Sequence, residues 1–128
     1  DLGGDLKGMK LWRSLQSFWK NKQVHLTLVT NFCRPFSEEE FYFDFMERAN
    51  TTLNLEFHSV ISNTHLIEYT DGEILKMGWQ KAGDFSQKEN LPIFFVSIWE
   101  DLIENLSWNI FDSAVVGIQR FLHLPWMK

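Results

Sequence analysis

Between Pro92 and Glu100 the chain runs Ile93-Phe94-Phe95-Val96-Ser97-Ile98-Trp99, β-branched and aromatic residues interrupted only by one serine. Such a run is too short to cross a bilayer, and its lack of alternation matches a strand covered on both faces. It is therefore expected at the centre of a sheet, and the rest of the chain must supply the neighbouring strands and the layers over them.

The flanking segments offer candidates. Leu11, Leu15, Phe18 and Trp19 recur at helical spacing over residues 9–22, with the basic residues mostly off that stripe. Val24, Leu26 and Leu28 alternate with His25 and Thr27, which predicts a strand over 23–30. Ser37 followed by Glu38, Glu39 and Glu40 has the form of a capping box, so a helix is expected over 38–50, burying Phe41, Phe45 and Ala49 beside Tyr42 and Met46. Alternation then predicts three strands, at 53–61, 65–70 and 73–79. Asp71-Gly72 is read as a tight hairpin turn, because both central residues of that turn need positive φ. Residues 80–90, with Gly83 and several charges, read as a surface loop. Leu102, Leu106, Ile110, Ala114 and Ile118 predict a long helix over 100–124, stopped by Pro125. The sum is an α+β fold: one domain over 9–128, a mainly antiparallel sheet of about five strands packed against three helices. Residues 1–8 are expected to be a flexible leader or not native to the chain. The core should centre on Phe41, Phe45, Phe57, Phe95 and Leu106.

At 128 residues the chain can bury roughly two-thirds of its unfolded surface in a single core. Its 12 Phe, 6 Trp and 2 Tyr are generous for a core of that size, so some rings are expected at the surface. The lone Cys33 excludes an internal disulfide and any multi-thiolate zinc site, which favours a reducing, cytoplasmic setting; between Phe32 and Phe36 it reads as a buried structural thiol. No apolar run is long enough for a membrane span. The glycines are too scattered for a phosphate-cradling or dinucleotide loop, and no nucleophile elbow occurs. His25, His58, His65 and His123 fall in four separate elements. Only His58 and His65, flanking an expected turn, are spaced to meet, so no metal, cofactor or catalytic residue is expected.

Charge carries what functional signal there is. The first 37 residues have a net charge of +4, whereas the remainder sets 15 carboxylates against six basic residues. The basic stretch 10–22 reads as a solvated helix face rather than a nucleic-acid or membrane-binding one, since an acidic body opposes phosphate. Clustered carboxylates beside tryptophans suit docking onto a basic protein. The expectation is a non-enzymatic protein-binding module, most concretely a small acidic inhibitor of the immunity or antitoxin kind that covers the basic active site of a toxin such as a nuclease. Its contact residues are expected among Asp71, Glu73, Trp79 and Asp84, around the hairpin and loop, or Glu100, Asp101 and Glu104, on the last helix. The competing readings are a small-molecule-binding or enzymatic domain with an aromatic-lined pocket, and a scaffold or peripheral membrane component using the basic helix.

Overall fold

A computed structural model describes residues 6–35, 37–104 and 111–119, and within them strand and helix alternate. After α1 (Leu6–Ser14) and a 3-10 turn at Gln16–Phe18 come β1 (Leu26–Thr30), α2 (Glu39–Leu53), β2 (Phe57–Ser62), α3 (Gly72–Glu89), β3 (Ile93–Trp99), α4 (Glu100–Ile103) and β4 (Val115–Ile118). Every strand pair is parallel and the spatial order is β1-β2-β3-β4. The fold is thus α/β, with a four-stranded all-parallel sheet and four helices among the described residues, and not the mainly antiparallel five-stranded α+β sheet expected from the pattern.

The error has a physical source in α3. Its buried stripe is Leu75, Gly78, Ala82 and Phe85, correct for a helix, but two of the four are too small to register as hydrophobic signal. Smallness is what the packing requires. A Cβ on Gly78 would lie 2.2 Å from the Thr64 Cβ, so only glycine lets the helix come this close to the end of β2. Asp71 makes no hairpin either. Its carboxylate accepts the Ile74 N–H at 2.9 Å and caps α3, and no described glycine has positive φ. The expected strand 73–79 and loop 80–90 are therefore one helix, and a parallel crossover becomes possible.

Other expectations shift as well. Residues 65–70 hold a 3-10 turn at Ile67–Tyr69 in place of a strand. The expected helix over 100–124 ends at Ile103, and residues 115–118 pair with β3; Leu106 and Pro125 lie outside the described residues. Helix α2 forms as expected, but Glu38 is its N-cap without a side-chain bond, and the Ser37 hydroxyl donates to the Arg34 carbonyl instead. Its buried face is Tyr42, Met46, Ala49 and Leu53, which leaves Phe41 47% exposed.

One face of the sheet carries the core. Leu28 and Val60 pack with Tyr42, Met46, Ala82 and Phe85, while Val96 and Ile98 pack with Leu75 and Phe111. Met9, Ala49 and Leu53 join α1 to α2. Right-handed crossovers that always step in the same direction put their helices on the same side, and here that side holds α2, α3 and α4. On the opposite face Val29, Ile61 and Phe95 stand in one cross-strand row, and Val29 and Val116 are exposed. The pairing shift between Val60 and Ile61 leaves Phe94 unpaired and 61% exposed. Strand β3 is interior in order, as expected, but on the face away from Val96 and Ile98 only part of it is buried: Ser97 is, while Phe94 is exposed. Phe95 is half-buried, and Phe45 and Phe57 border the core rather than centre it.

Candidate functional site: the carboxyl edge of the sheet

In a parallel sheet the loops that leave the carboxyl ends of the strands share one edge, where α/β proteins place their sites. The polar residues ending the strands here are committed to holding those loops. The Asn31 side-chain oxygen accepts the N–H groups of Cys33 at 3.0 Å and His65 at 3.3 Å. Its amide donates to the His65 carbonyl at 3.3 Å, and its backbone N–H donates to the Tyr42 hydroxyl at 2.6 Å. Thr64 Oγ1 accepts the Phe32 N–H at 3.2 Å, and the Ser97 hydroxyl donates to Asn63 Oδ1 at 2.6 Å. The loops after β1 and β2 are thereby tied to each other and, through Tyr42, to α2.

Standing on this base is the segment 66–70. The Leu66 N–H donates to Thr70 Oγ1 at 2.9 Å, that hydroxyl donates to the Ile67 carbonyl at 2.7 Å, and the Ile67 N–H donates to His65 Nδ1 at 3.4 Å. Backbone bonds from Tyr69 to Leu66 and from Thr70 to Ile67 close the turn at 3.1 and 3.2 Å. Ile67 adopts φ 54°, a left-handed conformation that costs a β-branched residue roughly 1 to 2 kcal/mol. The hydroxyl of Thr70, itself 8% exposed, holds it there. The result is a secured turn that presents Leu66, Ile67 and Tyr69 to solvent at 42%, 39% and 82% exposure.

Electrostatics of the edge are mixed. Burial, aided by the Arg34 guanidinium, pulls the His65 imidazole below its ordinary pKa. Burial pushes the Cys33 thiol up, opposed only in part by Lys81, so it stays protonated at neutral pH and is a poor nucleophile. The Tyr42 phenol is raised by burial too.

The expected contact residues divide among these elements. Asp71 and Glu73 open α3, directly after the 66–70 turn, and Glu100 and Asp101 open α4, so the topology brings both expected sets to the same edge. Glu104 follows at the end of α4. All five of these carboxylates are exposed, but Asp71 is engaged as the α3 cap and Glu100 accepts from the Gln119 amide. Asp84 stands apart, roughly 18 Å along α3 from Gly72 at the rise of an α-helix. Trp79 is partly buried. It packs edge-on against Phe111 with ring centroids 5.7 Å apart, in the cluster under β3. The apolar residues that do face solvent beside the acids, Leu66, Ile67 and Tyr69, were read as strand; the sign that they are not is Ile67, whose left-handed backbone no propensity would suggest.

The other candidate constellations do not form. His58 and His65 lie at opposite ends of β2, and His58 stacks on His25 with centroids 4.9 Å apart. Among the described residues no three His, Cys, Asp or Glu side chains are grouped to hold a metal. A shallow cleft of about 260 Å³ between α2 and α3 is lined by Glu39, Glu40, Phe43, Asp44, Phe85, Lys88 and Glu89. Lys88 is bonded to Glu39 Oε2 at 2.6 Å, and that carboxylate with its acidic neighbours raises the lysine pKa. The other oxygen of Glu39, Oε1, is buried in the same cleft without a hydrogen-bond partner among the described residues. Among the described residues no helix is long and apolar enough to cross a membrane.

Fold and edge together define a class: a small parallel α/β domain with helices on one face and an acidic edge bearing a raised apolar turn. Compared with protein-family models, curated proteins and solved structures, the chain matches none.

Proposed function

We propose that this chain is a non-enzymatic protein-binding module that docks its carboxyl edge onto a basic partner, in the manner of an acidic immunity or antitoxin-type inhibitor covering the active site of a toxin. The observation that carries the reading is the juxtaposition at that edge of exposed Glu73 and Asp101 with the secured, exposed Tyr69. A nuclease cleft is positive because it binds phosphate; carboxylates steer the encounter with it, and a desolvated aromatic supplies the holding energy. The single cysteine suits a reducing compartment such as the cytoplasm.

The test is kinetic. The partner retained by the wild-type chain should associate more slowly as salt rises, and the triple reversal of Glu73, Asp101 and Glu104 to Lys should slow association at low salt while leaving the melting midpoint nearly unchanged. Asp71 and Glu100 are spared because their side chains already serve the fold. An association rate indifferent to salt and to the reversals removes the acidic-docking reading.

A further inference from the structure

We infer that the 66–70 turn is a preformed insertion element, with Tyr69 entering a concave apolar pocket on the partner whose rim carries Lys or Arg. The inference rests on the protein-binding reading and names the part of the edge that supplies affinity. Three observations carry it. Tyr69 is the most exposed large apolar residue of the described chain, at 82%, and Leu66 and Ile67 stand beside it at 42% and 39%. Apolar area gathered on a projecting turn serves no packing in the free protein.

The backbone beneath is fixed in advance. Thr70 bonds both Leu66 and Ile67, His65 accepts from Ile67, and His65 is tied through Asn31 to the loop after β1. Ordering a loop on binding is costly, and a turn already ordered avoids that cost. Ile67 adds the third observation. A loop under no demand but closure would use glycine or asparagine at φ 54°, whereas a branched apolar side chain is held there against its preference. The exposed carboxylate of Glu73 follows the turn on α3, against the single Arg34 guanidinium near His65, and with Asp101 and Glu104 on the same edge it favours a basic rim on the partner.

Peptides selected from a random phage library on the immobilised wild-type chain supply the probe, titrated while backbone amide shifts are followed. The largest shifts should fall on residues 66–70. Tyr69→Ala should weaken binding at least about tenfold without moving the melting midpoint. Thr70→Val, which keeps the shape and removes the hydroxyl, should weaken it about threefold or more although every apolar contact residue remains, and Thr70→Ser should restore it. Shifts centred on Val29, Phe94 and Val116 or on the α2–α3 cleft overturn the inference, as do failure to select any peptide and indifference to Tyr69→Ala. Peptides that occupy the turn but show no enrichment in Lys or Arg and no salt dependence keep the insertion element and sink the acidic-docking reading, so the two fail separately.

Discussion

Gly78 shows how a single side chain, or its lack, sets the fold. The helix it belongs to can lie against Thr64 only because nothing projects from that Cα, and an added methyl would overlap the threonine side chain. Gly78→Ala should therefore destabilise by about 2 to 3 kcal/mol despite the better helix propensity of alanine, measured as a lowered urea midpoint with unchanged slope. His65 yields a pH dependence of definite sign. Its imidazole is held below the ordinary value by burial and by Arg34, so the unfolded chain takes up the proton first as pH falls. Its contribution to stability is complete above the unfolded value and is lost as pH drops through the folded one. Urea midpoints should decline from about pH 7 to about pH 5, and His65→Gln should flatten part of that decline. A decline identical in the two proteins would assign it to titrating groups other than His65.

At the scale of elements, legibility followed side-chain size. Strand β1 was readable from the alternation of large residues such as Leu28, strand β3 from its unbroken apolar run, and helix α2 from the carboxylates that open it and the large rings spaced along it. Helix α3 was not, because it turns Gly78 and Ala82 toward the sheet, and because Asp71-Gly72 serves a helix start as well as a hairpin. The two readings of Asp71 differ in consequence. As a cap, its replacement by Ala should cost about 1 kcal/mol, and Asp71→Asn or Asp71→Ser should recover most of it; a turn aspartate would show no such recovery by serine. The same bookkeeping revises β3. A fully buried Phe95 would make Phe95→Ala worth roughly 3 to 5 kcal/mol, but Phe95 is only half-buried, so about 1 to 2 kcal/mol is expected. Of the candidate site, the acidic ends of α3 and α4 were visible as charge; Tyr69 was not, because its exposure depends on the turn that Ile67 and Thr70 build.

For the whole molecule, strand direction went unread: the unalternating run of β3 suits a parallel sheet, but with α3 read as strand and loop no crossover was left to make one. The spatial order β1-β2-β3-β4 repeats the order along the chain. No strand has to slip between two that are already paired, so the sheet can lengthen at one side as each helix and strand follows from the ribosome. A structure assembled this way resembles a short stack in which every unit leans on its immediate neighbours. Cooperativity should then thin toward the ends: amide hydrogens of β2 and β3 should be the slowest to exchange with deuterium, and those of the short β4 should be among the first. Where most compact domains close around a centre, this one has a leading and a trailing side, and unfolding has a place to begin.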